Sequence, residues 1–259
     1  MSIRLDKLLS DTTPFSRAEL KRLSRKKQIV FDGRAVTDLS QKITLDSVSE
    51  KLTPELTVTI TGVRYSLNPR QNTYLALYKP VGVLSTTQDS YRPTVIDSVA
   101  KHLAKMNANA KQTQQAQGFI PLEQLGVCGR LDVDTSGLVL LTDDGVWNHK
   151  ITSPKKKVEK EYRVEFSEPV DRQSLERLLT GIELKDGLAK AAAINTINKC
   201  TVDLTLTEGR HHQIKRMAHG IGNSVKTLHR FRIGKLSIAQ DWQIGEVRSI
   251  LPSDVLQTL

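Results

Sequence analysis

"CGRLDVDTSGLVLLTDDG" (Cys128–Gly145) sets four aspartates, at 132, 134, 143 and 144, among glycines and an apolar run. These carboxylates could form a cation site, act as reactive groups, or decorate a turn. Asp132-x-Asp134-x-Ser136-Gly137 matches the opening of a calcium loop, where oxygen ligands at alternate positions wrap the ion. The context opposes that reading. Position nine is Leu140, position twelve is Asp143 instead of a bidentate glutamate, and the flanks "CGRL" and "LVLL" are strand-like. A glycosidase-like pair needs two carboxyl groups held across a sugar, which spacing along one turn does not establish. For Asp134 alone an Asx-type turn is open. None of these readings explains Arg130, which in extended backbone projects to the same side as Asp132.

The chain around this stretch is basic. Its 259 residues carry 38 Lys and Arg against 28 Asp and Glu, a formal net charge of +10. Such an excess suits a polyanionic partner, because phosphate contacts release counterions. The length allows a substantial core and one large domain beside a small one. Cys128 and Cys200 lack CxxC spacing, which argues against a disulfide framework or structural zinc and fits a reducing cytoplasm. No uninterrupted apolar run opens the chain and no later stretch approaches a membrane span. A soluble cytoplasmic protein, monomeric and without a membrane partner, is expected.

Residues 1–60 read as a small module. Leu5, Leu8 and Leu9 make one apolar turn, and "SRAE" places Ser16 and Glu19 at capping-box spacing for a second helix. Leu20 and Leu23 can face a core. Arg17, Lys21, Arg22, Arg25, Lys26 and Lys27, with Arg4 and Lys7 before them, make a candidate phosphate-binding surface. Asp32-Gly33 between short β-forming runs signals a hairpin. Residues 61–72, "TGVRYSLNPRQN", read as a linker, and 73–259 as the second domain. Within it "KMNANAKQTQQAQG" (Lys105–Gly118) reads as a mobile insertion. "LVLL", "EYRVEF", "TVDLTL" and "FRIGKLSI" are β-forming, and "DRQSLERLL" spaces its leucines for a helix ended by Gly181. Strands outnumber helices without regular βαβ alternation. The fold class expected is therefore α+β, with a mainly antiparallel or mixed sheet flanked by helices.

Four ordered segments resemble the pseudouridine synthases of the RsuA/RluA superfamily: "YLALYKPVGVLST", "GRLDVDTSGLVLLTDDG", "VEKEYRV" and "EGRHHQIKRM", with "LHRFRIG" continuing the match. "IRLDKLL", "SRAELKRL" and "VFDGRAV" resemble an S4 RNA-binding domain, the usual N-terminal attachment in the RsuA branch. "TDDGVWNHKITSP" is more similar to members that modify 16S ribosomal RNA than to large-subunit members. One position departs from the family pattern: Tyr78 stands where the family has asparagine before Lys79-Pro80.

The resemblance implies isomerisation of uridine to pseudouridine in ribosomal RNA, 16S first and 23S as the alternative, with no cofactor and no metal. It assigns the essential carboxylate to Asp132, as nucleophile or base, and its cationic partner to Lys215. It makes Tyr162 the aromatic that stacks on the target uracil. Arg130 and Arg210 are expected at the substrate. Ile214, Met217, Ala218 and Ile221 trace an apolar helix face that Lys215 borders. His211 and His212 are neighbours that diverge in a regular strand or helix, so they read as part of an RNA-facing loop and not as a metal pair. A non-catalytic S4-type rRNA-binding protein is the rival from another class, disfavoured because Asp132, Tyr162 and Lys215 are all present.

Overall fold

The computed structural model describes residues 2–44, 57–67, 72–109 and 122–256, and the chain divides into two compact units, Met1–Gln71 and Asn72–Leu259. In the first, β1 (Ser2–Arg4) leads into α1 (Leu5–Thr12) and α2 (Arg17–Arg25), followed by β2 (Ile29–Phe31) and β3 (Arg34–Ala35). β4 (Lys42–Thr44), β5 (Thr57–Ile60) and β6 (Val63–Ser66) complete it. Helix α2 starts where the sequence says it should. Ser16 Oγ accepts from Glu19 N, and Glu19 Oε2 accepts from Ser16 N at 2.9 Å, closing a capping box. Asp32 and Gly33, both at positive φ (49° and 70°), turn β2 back onto β3. Leu5, Leu8, Leu9, Leu20 and Ile29 are fully buried beneath this small sheet, which has the order β3-β2-β5-β6.

The stretch 61–72 is not simply a linker. Thr61 and Gly62, at φ 52° and 84°, form a two-residue turn between β5 and β6, with Ile60 paired to Val63. The Thr-Gly pair that read as a chain break is thus the tip of a hairpin. All eight basic residues named for RNA contact in this unit are exposed. Arg4 is partly committed, pairing with Asp6 at 2.9 Å.

The second unit opens with β7 (Tyr74–Lys79), α3 (Val95–Asn109), β8 (Gly126–Cys128), β9 (Ser136–Thr142) and α4 (Gly145–Thr152). Next come β10 (Lys160–Phe166), α5 (Arg172–Thr180), β11 (Ile182–Leu184), β12 (Gly187–Ala189), β13 (Ala193–Thr196) and β14 (Thr201–Leu206). It ends with α6 (Gln213–Gly220), β15 (Val225–Ile233), β16 (Leu236–Ser237), β17 (Val247–Ser249) and α7 (Pro252–Val255). The insertion read over Lys105–Gly118 begins inside α3, and its residues from 110 on lie outside the described residues. No helix among the described residues is long and apolar enough to cross a membrane.

One mixed sheet organises this unit, in the order β13-β14-β10-β15-β9-β7-β17, with β16 on β15 and β8 on β9. Every pairing in it is antiparallel except β9 with β15. That parallel seam joins a half built from β7, β8, β9 and β17 to a half built from β10 and β13–β16. Gly137 makes the seam possible. It pairs with Arg230 at φ 122°, and a Cβ there would collide with the Arg230 backbone. Gly137→Ala is accordingly expected to destabilise the protein by roughly 2 kcal/mol or more. Denaturant unfolding of the purified variant checks this.

Candidate active site

The four aspartates of the opening stretch divide two and two. Asp144 caps α4, accepting from Val146 N and Trp147 N, and takes the Tyr74 hydroxyl at 2.9 Å. Asp143 accepts from Thr73 N at 2.7 Å. These two fasten α4 and the start of β7. Asp132 and Asp134 belong to the loop between β8 and β9, and both meet Lys215 on α6. The Lys215 Nζ lies 3.1 Å from Asp132 Oδ2 and 2.6 Å from Asp134 Oδ1. One ammonium thus serves two carboxylates, where the sequence pointed to one.

Charge follows this geometry. Burial lowers the pKa of Lys215, but hydrogen bonds to Asp134 and Asp132 outweigh it and leave the pKa raised. The same hydrogen bond holds Asp134 below the usual carboxylate range. Lys215 reaches the loop because Ile214, Met217 and Ala218 bury the other side of α6, the face legible in the sequence.

His211 and His212 do not diverge. His212 adopts the left-handed conformation (φ 51°), so the two rings stack with centroids 3.8 Å apart. This places His212 Nε2 at 3.4 Å from Asp132 Oδ1. A regular period cannot describe a residue in that backbone region.

Arg210 also departs from expectation. Its five N–H donors are all engaged, with Glu208, and with the carbonyl oxygens of Asp186, Gly187 and Leu188. It ties the β11–β12 hairpin to the loop before α6 and has no donor free for a phosphate. Arg210→Ala should cost about 1–3 kcal/mol of stability. A phosphate contact would instead reduce the salt slope of RNA binding by about one. Thermal unfolding and salt-dependent binding, measured together, check which of the two changes.

These groups surround a cleft of about 650 Å³. Arg130 and Asp132 line it from the loop before β9, Tyr162 and Lys160 from β10, and Arg230 from β15. Tyr162 is buried, with its hydroxyl 3.5 Å from Arg230. The Arg130 guanidinium is exposed and meets no hydrogen-bonding partner among the described residues. The cleft sits over the parallel seam, with Asp132 on one half of the sheet and Tyr162, Lys160 and Arg230 on the other.

Support beneath the loop comes from Lys79, which is fully buried and donates to Pro80 O and Val83 O at 2.9 and 2.8 Å. Burial brings its pKa down to about 8, against the opposing pull of Asp134 and Asp132. Beside it the Tyr78 ring lies 5.4 Å from His229, whose Nδ1 contacts Ser136 Oγ at 2.9 Å. The Tyr78 backbone is fixed on both sides, donating to Glu246 O and accepting from Gly245 N. An aromatic ring is accommodated here without loss of the turn at Lys79-Pro80.

A family model described as RNA pseudouridylate synthase matches residues 73–219, the span that holds Asp132, Tyr162 and Lys215. A ribosomal small subunit pseudouridine synthase A of Yersinia pestis is 35% identical over 257 residues, covering 98% of this chain and 97% of that protein.

The chain belongs to the RNA pseudouridylate synthase family.

An RNA pseudouridine synthase of Bacillus subtilis (strain 168), itself uncharacterised, is 34% identical over 258 residues and covers 98% and 97% of the two chains. The crystal structure of a pseudouridylate synthase matches with a TM-score of 0.61 at 30% identity, over 98% of each chain. Membership of this RNA pseudouridylate synthase family makes the protein an RNA-modifying isomerase, and it explains why the motif is framed by strands instead of EF-hand helices. Lys160, Arg230 and Asp134 were not picked out as site residues from the sequence. Lys160 stood in the "VEKEYRV" segment and Arg230 in "LHRFRIG", so the motifs marked the neighbourhood without ranking its members.

Proposed function

We propose that this protein converts a uridine of small-subunit (16S) ribosomal RNA to pseudouridine. The observation that carries the reading is the Asp132 carboxylate, held by Lys215 and His212 at a cleft that Tyr162 also lines. Small-subunit specificity is supported by the relatives that align along nearly the whole chain under that name.

The reaction breaks the N1–C1′ bond, turns the base, and joins C5 to C1′, with no redox change and no cofactor. It needs an ionised carboxylate at the sugar, as nucleophile or base. The Lys215 ammonium pairs with that carboxylate at 3.1 Å. The target nucleotide has to leave its stack to enter the cleft, and the Tyr162 ring offsets part of that cost by contact with the flipped uracil. Arg130 has an exposed guanidinium, without a hydrogen-bonding partner among the described residues, suited to a phosphate or to the space the base vacates. The exposed basic residues of the first unit, read as an S4-type RNA-binding domain, contact ribosomal RNA backbone and position it without entering the chemistry. The protein acts as a cytoplasmic monomer.

Pseudouridine mapping of ribosomal RNA from cells with and without this gene tests the reading. Loss of one 16S site, restored by the parent protein and not by an Asp132 variant, is the expected result. Unchanged 16S maps with a missing 23S site would move the substrate to the large subunit. Unchanged maps throughout would leave a binding role.

A further inference from the structure

We propose that Lys160 and Arg230 form a cationic floor that takes up the negative charge of the uracil when it detaches from the ribose. Both line the cleft and both are buried, at 6% and 1% exposure. Among the described residues neither makes an ion pair. Lys160 Nζ donates to the carbonyl oxygen of Val158, Arg230 Nε donates to that of Leu138, and one terminal nitrogen of Arg230 is buried with no partner at all. Across the sheet from Lys160 stand Leu206 and Ile233, both apolar. Burial, with the like charge of Arg230 nearby, brings the pKa of the Lys160 ammonium down to about 8.

Two buried cations without a carboxylate are costly, by several kcal/mol for an ion left unpaired. Lys79 shows how the same fold treats a structural lysine, surrounding it with two carbonyl oxygens and two nearby aspartates. Lys160 and Arg230 instead line the cleft where a ligand goes with no carboxylate among their described partners, which marks them as waiting for an anion.

The reaction supplies one. When N1–C1′ breaks heterolytically the bonding pair leaves with the base, and its charge spreads from N1 onto O2 and O4. C1′ is left electron-poor, and Asp132 either bonds to it or takes the neighbouring C2′ proton. After the base turns, C5 bonds to C1′, the proton on C5 is lost, and N1 gains one. Asp132 leaves C1′ or returns its proton, so substrate and product are isomers. Either route passes through a detached uracil anion, so the floor serves both. Preorganised cations facing developing charge in a closed site are worth far more than in water.

The inference rests on the isomerase reading, so its test has one arm that needs no RNA. In single-turnover assays at saturating enzyme, Lys160→Met should lose on the order of 100-fold in rate, with Lys160→Arg retaining most of the activity. Removing an unpaired buried charge should also leave the unfolding temperature of Lys160→Met equal to or above the parent's. In the second arm, ultraviolet difference titrations compare uracil, neutral at pH 7, with 5-nitrouracil, ionised at pH 7. The parent should prefer the anion, and Lys160→Met should lose that preference. If the parent leaves small-subunit RNA unmodified, the titration still decides the floor. A parent without anion preference, or a folded Lys160→Met that keeps both preference and rate, overturns the proposal. Should Lys160→Met fail to fold, Lys160→Gln carries the same comparisons.

Discussion

Asp132→Asn is expected to abolish isomerisation while leaving the fold and the affinity for RNA close to the parent's. The amide nearly matches the carboxylate in shape but serves neither as a base nor as a nucleophile at a sugar carbon. Lys215 keeps its shorter bond to Asp134 in the variant, so α6 stays fastened to the loop. Asp132 makes no capping bond of the kind that Asp144 makes, and its loss unfastens no element. A rate loss of at least about 1,000-fold, equivalent to roughly 4 kcal/mol of barrier, is the expected size. Single-turnover assays on ribosomal RNA, with binding and thermal unfolding measured on the same preparations, check it. A variant within a few-fold of the parent would remove Asp132 from the centre of the reaction.

Lys215→Met should have the next largest effect, and its pH dependence carries the information. The parent lysine has a raised pKa, so it stays charged through the neutral range and introduces no alkaline loss there. Replacing it with an apolar chain leaves Asp132 and Asp134 side by side without the cation that both now touch. Like charges in one site favour protonation of one of them. The rate should fall on the order of 100-fold near neutrality. The acid limb of the pH–rate profile should move up, so that residual activity rises with pH. Asp134 gives the stability side of the same argument. Its lowered pKa makes the Lys215 contact stabilising above the unfolded carboxylate range, and that stabilisation disappears as pH falls through the folded value. The parent should therefore lose its stability advantage over Lys215→Met in acid. Lys215→Arg should keep part of the activity, since the charge persists in a different shape. An exposed lysine that merely gripped phosphate would weaken binding and leave the pH profile unchanged.

Local rules made much of the fold legible. Ser16 and Glu19 closed the capping box that their spacing indicated, Asp32-Gly33 turned a hairpin, and Asp171 and Gly181 bound the two ends of α5. The apolar face of α6 likewise put Lys215 on the correct side. Failures came where a residue left the regular periods. His212 in a left-handed conformation turned two diverging rings into a stack, and Thr61-Gly62 turned a supposed linker into a hairpin. Arg210 looked like a substrate contact because its chemistry suits phosphate, yet its carbonyl partners lie more than twenty positions away in the β11–β12 hairpin. Arg230 shows the same limit. It owes its place beside Tyr162 to a pairing between strands 68 positions apart, which no local pattern encodes.

The parallel seam at Gly137 also governs when the enzyme comes into being. It pairs Ser136 with His229 and Gly137 with Arg230, residues 93 positions apart, and it is crossed by the Arg230 bond to Leu138. Like the antiparallel pairings of β7 with β17 and of β10 with β15, this junction closes a long loop before any contact rewards it, so it belongs to the slow part of the topology. Asp132 lies on one side of that junction and Tyr162, Lys160 and Arg230 on the other. Either half alone is chemically silent, because without the seam Asp132 and Tyr162 are not brought to one cleft. Catalysis thus waits on closure of this junction, and a chain in which it is open keeps Asp132 apart from Tyr162.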